Sequence, residues 1–280
     1  MASQHLDQAE GLRRLMAISP PRVISIISAL GSSTASLTHR MLSYLAASFS
    51  HDGANAHIIY GIDDDPDVLK HYGLLHRPSL TEVTQGKRPL AQAISSTRSH
   101  FTSSWLGSYS QLDPFLAPQL NKCIHSLAEA HEVVLVETKV RPQQALPLSS
   151  LNDGVIVIQM NERASSLKFA YSLIKQLHHQ IGKREFGILV HGNTALNANH
   201  VFTKIASVAR RFLGVVLQYV GYIPSHMHIA ETQKSRRNLI GAMSNAGVAN
   251  IYHEVAKRLL RQMHAFTAFD PHPMIQDAPC

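Results

Sequence analysis

The 280-residue sequence predicts an α/β protein with a mainly parallel, twisted sheet flanked by helices. Three observations carry that expectation. First, Arg22-Val-Ile-Ser-Ile-Ile-Ser28, His131-Glu-Val-Val-Leu-Val136 and Gly154-Val-Ile-Val-Ile-Gln159 are short, nearly continuous apolar runs rich in β-branched residues. Such runs mark strands buried on both faces. Second, helical periods of ten or more residues separate the runs, which suits right-handed βαβ crossovers rather than hairpins. Third, 45% hydrophobic and 16% charged residues suit a globular chain with a sizeable core.

The elements follow in order. Residues 4–17 form an amphipathic period, with Leu6, Ala9, Leu12 and Met16 near one face and Asp7, Glu10 and Arg14 on another. Pro20-Pro21 ends it as a stiff linker. After the first strand, Ala29 to Ser33 are a small-residue turn. A helix is expected over 34–50, with Leu37, Met41, Tyr44, Leu45 and Phe49 inward. Ala56–Tyr60 reads as a strand and 61–100 as helical or irregular, punctuated by Asp65-Pro66, Arg77-Pro78 and Arg88-Pro89. Helices are expected over 112–130, 164–180, 198–213 and 249–263. Further strands are expected at Phe186-Gly-Ile-Leu-Val190 and Val215-Val-Leu-Gln-Tyr-Val220. The helix at 164–180 is expected to bury Leu167, Ala170, Tyr171, Ile174 and Leu177. This divides the chain into a helix and linker (1–19), one α/β domain (20–265) and a disordered tail (266–280).

No run of about 18 apolar residues predicts a membrane-spanning helix, and the polar N-terminus lacks the pattern of a signal peptide. Two cysteines, Cys123 and Cys280, do not make a disulfide framework, so a reducing cytoplasm is the expected compartment. The net charge is +7, with basic residues gathered in the second half, such as Arg210-Arg211 and Arg236-Arg237. A basic surface speeds encounter with any anionic partner without choosing one. The histidine pairs His178-His179 and His226-x-His228 lack the companions of a metal site. Asp63-Asp64-Asp65 reads as an acidic turn before Pro66.

In an open α/β sheet, ligands sit at the carboxyl ends of strands, so the turn after the first strand is where chemistry is expected. A phosphate-binding turn needs glycines for close backbone approach, a Lys for the β/γ-phosphates, and a Ser or Thr for Mg²⁺. Here the turn is Ser28-Ala-Leu-Gly-Ser-Ser-Thr-Ala-Ser36.

Together with Asp7-Gln-Ala-Glu-Gly-Leu-Arg-Arg-Leu15 and its linker, this strand–turn–helix resembles the FlhG/FleN family of flagellar-number regulators. Those proteins are MinD-like P-loop NTPases of the MinD/ParA group, carrying a deviant Walker A loop, Gly-Lys-Gly-Gly-x-Gly-Lys-Thr. The resemblance puts the family's first Gly on Ala29, its signature Lys on Leu30, and the next two glycines on Gly31 and Ser32. The third Gly falls on Thr34, the P-loop Lys on Ala35 and the Mg²⁺-holding Thr on Ser36. Both lysines are absent. A helix terminus alone contributes roughly 0.3–2 kcal/mol toward an anion. That is far below the ~8 kcal/mol of micromolar affinity. The expectation is a pseudo-ATPase with no bound cofactor, where the family would hold ATP and Mg²⁺.

The resemblance extends over nearly the whole chain. The first switch falls near Ile62-Asp63-Asp64-Asp65, and the second-switch Asp falls on Glu137 in Val136-Glu137-Thr138. His191 stands where the family reads the base with Asn, and Tyr219-Val-Gly-Tyr-Ile-Pro224 matches well. The N-terminal segment resembles the family's activator helix, which docks on FlhF, a signal-recognition-type GTPase. Leu12 and Leu15 would then be apolar anchors, Arg13 or Arg14 would meet acidic groups, Asp7 would belong to the same partner-binding set, and Gln8 would act in the partner's site.

The resemblance thus implies a non-catalytic regulator of flagellar number or placement that binds an FlhF-type GTPase. Flagellar basal-body and transcription-regulator proteins are further candidate partners. Two alternatives stand beside it: an ATPase with an unusual loop, and a ParA-like nucleic-acid binder, the latter not the expectation. The last helix carries Ile251, Val255, Leu259 and Met263 on one stripe. That stripe suits packing on the sheet, and equally permits peripheral contact with the inner face of the membrane.

Overall fold

The computed structural model describes residues 23–31, 35–61, 66–97, 99–107, 114–140, 146–225 and 246–267. The strands are β1 (Val23–Ser28), β2 (Ala56–Tyr60), β3 (Ser95–Ser96), β4 (Thr102–Trp105), β5 (Val133–Thr138), β6 (Val155–Asn161), β7 (Phe186–Gly192) and β8 (Leu217–Pro224). The helices are α1 (Ala35–His51), α2 (Pro66–His71), α3 (Leu80–Thr84), α4 (Leu90–Ala93), α5 (Ala117–Ala130), α6 (Ala164–Ile181), α7 (Ala195–Leu213) and α8 (Ala246–Thr267). The strands make one sheet in the order β3-β4-β2-β5-β1-β6-β7-β8. Every pairing is parallel except that of the short β3 with β4.

Strand β1 lies between β5 and β6, which explains its unbroken apolar character: both faces are covered. Its alternate residues enter two cores. Val23 and Ile27 face a layer built with α5, α6 and α7. Ile24 and Ile26 face a layer built with α1 and α8. Helix α1 packs beside α8 on the same face of the sheet, where Tyr44 and Tyr252 meet with ring centroids 4.9 Å apart. This double cover buries Met41, Leu42, Tyr44, Leu45, Ala46, Ala47 and Phe49, a wider face than one amphipathic stripe.

The stripe of α8 is spent on the protein itself. Val248, Tyr252, Val255, Ala256, Leu259 and Met263 are buried, and Ile251 is half-buried at its margin. The helix comes close to β8 at a bulge, where the register shifts between Ile188 and Leu189. There Gly221 has φ +150°, and a Cβ on it would stand 2.9 Å from a Val255 methyl. A side chain would push α8 off the sheet.

Some expectations need correction. Strand β4 was not anticipated, because Thr102-Ser103-Ser104 is polar. Its polarity has a partner: buried His57 of β2 bonds Thr102 Oγ1 through Nδ1 (2.7 Å) and Ser104 Oγ through Nε2 (2.9 Å). Thr102 Oγ1 also meets His131 Nε2 at 2.9 Å, and His131 Nδ1 donates to the Leu127 carbonyl at 2.9 Å. The stretch 61–100 resolves into α2, α3, α4 and β3, with α3 started by a capping box of Ser79 and Glu82. In α6, Ser166 and Leu173 are buried, while Tyr171 and Leu167 are half-buried at the flanks. Strand β5 reaches Thr138, two residues past its expected end, so Glu137 is a strand residue. Helix α8 continues to Thr267, into the span expected as tail, and 268–280 lie outside the described residues.

Candidate functional site at the strand ends around the first helix

The turn after β1 leaves the sheet beside the start of α6. Ala29, 1% exposed, donates its N–H to the Gln159 carbonyl at 2.8 Å, and its carbonyl accepts from Ser166 Oγ at 2.8 Å. The Leu30 N–H turns back to Ser28 Oγ at 3.3 Å. The first two amides of the turn are therefore committed inside the protein. Gly31 has φ +98°, in the left-handed region that favours glycine, and open space where a Cβ would be. Ser32 and Thr34 lie outside the described residues. Ala35 and Ser36 open α1, and the description stops at their backbone.

Two neighbouring residues of α1, Thr38 and His39, tie the helix to strand ends on opposite sides of β1. On the β5 side, His39 Nε2 lies 2.9 Å from Glu137 Oε2, with both side chains almost wholly enclosed. The same carboxylate oxygen accepts the Gly61 N–H at 3.1 Å. Glu137 thus joins α1 to the first residue after β2. His39 is held edge-on against Tyr60 (centroids 5.7 Å) and Tyr72 (5.6 Å). Ser43 Oγ donates to the His39 carbonyl at 3.0 Å, so Tyr60 donates its phenol to Ser43 at 2.8 Å. Burial pushes the Tyr60 phenol well above its usual range and keeps it a donor.

On the β6 side, Gln159 Nε2 donates to Thr38 Oγ1, and Gln159 Oε1 lies 3.1 Å from His191 Nε2. Gln159 is 0% exposed and His191 3%. Since an amide Nε2 can only donate and Oε1 can only accept, His191 must carry its proton on Nε2. The imidazole at the expected base-reading position is therefore turned inward and bonded to β6.

Ala29, Leu30 and Gly31 follow β1, which lies between β5, the strand of Glu137, and β6, whose other neighbour β7 carries His191. Thr38, His39 and Gln159 were missed. A lone polar residue in an otherwise apolar strand, as Gln159 is, was the available signal. Asp7, Gln8, Leu12, Arg13 and Leu15 lie outside the described residues, as do Asp63-Asp64-Asp65 and the His226-x-His228 pair. Among the described residues no group of three or more His, Cys, Asp or Glu could hold a metal ion. Among them, too, no helix is long and apolar enough to cross a membrane.

No protein-family model matches the chain. The antiactivator FleN of Pseudomonas aeruginosa is 23% identical over 198 residues, covering 69% of this chain and 70% of FleN. Among solved structures, MinD of the MinC:MinD cell division complex from Aquifex aeolicus is similar with a TM-score of 0.63. It is 14% identical and covers 86% of this chain and 96% of its own. The septum site-determining protein MinD from Pyrococcus horikoshii, complexed with Mg-ADP, gives 0.62 at 16% identity, covering 89% and 99%. A ParA family ATPase from Chlorobium tepidum gives 0.55 at 14% identity, covering 85% and 97%.

The fold, a parallel sheet with a turn-to-helix passage at the end of β1, is therefore that of the MinD/ParA P-loop proteins. Within that fold, the sequence similarity runs to the antiactivator FleN.

Proposed function

We propose that this chain is a non-catalytic, FlhG-like regulator of flagellar number or placement that works in the cytoplasm without ATP. The observation that carries the reading is the Glu137–His39 pair. In the resemblance, Glu137 stands for the second-switch Asp. Here its carboxylate already holds an imidazole N–H and the Gly61 amide. Both bonds fall on Oε2, so that oxygen is turned to α1 and to Gly61 and is spent within the protein.

Residue chemistry points the same way. Leu30 and Ala35 supply no cation to phosphates, and His191 is bonded to Gln159 rather than open to a base. Mg-ATP does not fit these groups, and no step is assigned to it. What the residues do instead is hold: Glu137 ties the start of the loop after β2 to α1, and Gln159 ties α1 to β6 and β7. An arrangement that relatives would assemble around nucleotide is here closed by the protein's own side chains.

The partner in this reading is an FlhF-type GTPase, engaged through the 1–19 segment with Leu12 and Leu15 as apolar anchors and Asp7, Gln8 and Arg13 beside them. The similarity to an antiactivator supports a regulatory role. Two measurements test it. The purified chain should show no Mg²⁺-dependent ATP turnover above a no-protein control, and measurable turnover would overturn the non-catalytic reading. Residues 1–20 should raise the partner's GTP hydrolysis, and a Leu12→Asp chain that still captures the GTPase would overturn the docking reading.

A further inference from the structure

A separate cavity of about 1070 Å³ opens at the carboxyl end of the sheet toward its β3–β4 edge, between α2, the loop 74–79, and α3 with α4. None of the strand-end groups described above lines it. Its floor is apolar, with Leu69 and the ring of Trp105 at the carboxyl end of β4. Its rim is cationic, with Lys70, Arg77 and Arg88. Among the described residues Glu82 is the single carboxylate in the lining, and it is spent on the cap of α3: Oε2 accepts from the Ser79 N–H at 2.8 Å and from Ser79 Oγ at 3.2 Å. Lys70, Arg77 and Arg88 form no ion pair among the described residues.

Arg77 is the best-placed of the three. Its N–H donates to the Leu74 carbonyl (2.9 Å), its carbonyl accepts from Trp105 Nε1 (3.1 Å), and its Nη1 reaches the Gln92 carbonyl (3.4 Å). The backbone that presents this guanidinium is therefore set before any ligand arrives, which lowers the ordering cost of binding.

We propose that this cavity binds a phosphate ester of nucleotide-like size, with phosphate oxygens on Arg77, Arg88 and Lys70 and the organic body on Leu69 and Trp105. Guanidinium forks match phosphate oxygens two at a time, and the ammonium adds a point charge. The volume is at the upper end of the roughly 300–1,000 Å³ usual for small-molecule sites, enough for more than a bare phosphate. The proposal does not depend on the fate of the loop after β1.

Calorimetry on the full chain, in chelator and at low salt, tests it with AMP, pyrophosphate and adenosine as probes. AMP is expected to bind more tightly than pyrophosphate, and adenosine not at all. The Arg77→Ala/Arg88→Ala variant, altered only at exposed side chains, should weaken AMP at least tenfold while melting like the parent. The Arg77→Lys/Arg88→Lys variant should keep part of the affinity. AMP binding unchanged in the alanine variant overturns the proposal, as does the absence of phosphate-dependent binding at millimolar concentration. Binding of a single-stranded oligonucleotide without AMP binding also overturns it, in favour of a nucleic-acid surface. All arms are Mg²⁺-free, so they remain distinct from the ATP-turnover test of the strand-end site.

Discussion

Two buried polar networks cross this sheet, and they differ in what they hold. The network at the outer strands runs from the Leu127 carbonyl through His131, Thr102 and His57 to Ser104. With neutral imidazoles every proton has one place: His131 Nδ1 donates to the carbonyl, Thr102 to His131 Nε2, His57 Nδ1 to Thr102, and Ser104 to His57 Nε2. It is a closed chain that substitutes hydrogen bonds for apolar packing between β2 and β4. The network around α1 instead joins a helix to loops, through Glu137 to the residue after β2 and through Gln159 to β6 and β7. The first needs only neutral groups and runs from the end of α5 to β4 and β2. The second includes a carboxylate, Glu137, bonded both to His39 and to the Gly61 amide. Similar burial therefore serves cohesion at one end of the sheet and the shape of a candidate site at the other.

The largest effect is expected from breaking the carboxylate network. Glu137→Ala leaves the His39 imidazole and the Gly61 amide buried without their acceptor, and should cost about 3–5 kcal/mol in denaturant unfolding. If His39 and Glu137 are instead replaced together by leucine, part of that loss should return, since only the Gly61 amide is then left without its acceptor. A similar loss in both variants would mean the pair matters through shape alone.

Next in size is the histidine chain. His57→Leu strands the Ser104 hydroxyl, while Thr102 keeps its bond to His131, and should cost roughly 1–3 kcal/mol for the group left unsatisfied. The same residue sets a pH dependence. Burial, with His131 nearby as the lesser cause, lowers the His57 pKa from 6.5 to about 3. Between those values the unfolded chain binds a proton that the folded chain refuses, so stability is complete above pH 6.5 and declines as pH falls toward 3. The folding equilibrium should weaken by up to tenfold per pH unit in that window from this group, and His57→Leu should remove that part of the slope. A parent and variant with equal slopes would show that His57 is not the group responsible.

The smallest effect is expected where the amino-acid change is most conspicuous. Restoring both lysines, Leu30→Lys with Ala35→Lys, should not create ATP turnover, because Glu137 stays bonded to His39 and His191 to Gln159. Turnover in that variant would show that the loop alone had silenced the site.

How much of this was readable varies with the distance over which the physics acts. Strand β2 was legible to the residue, and β1, β6 and α1 to within one or two, because burial on both faces writes itself into consecutive residues. Strand β4 was not, because its Thr102 and Ser104 answer to His57, 45 and 47 residues away. Leu30 and Ala35 could be singled out because a phosphate loop is a run of neighbours. His39 and Gln159 could not, since their roles depend on partners 98 and 121 residues distant (137 − 39 and 159 − 38).

Local chemistry alone therefore settled the α/β class, the place of the critical turn and the absence of both its lysines. Only the folded chain decided which way His191 faces, what Glu137 holds, and that Lys70, Arg77 and Arg88 ring an apolar floor. Backbone preference and apolar periodicity act between near neighbours. Hydrogen-bond satisfaction and charge pairing act across space, where the sheet order sets who meets whom.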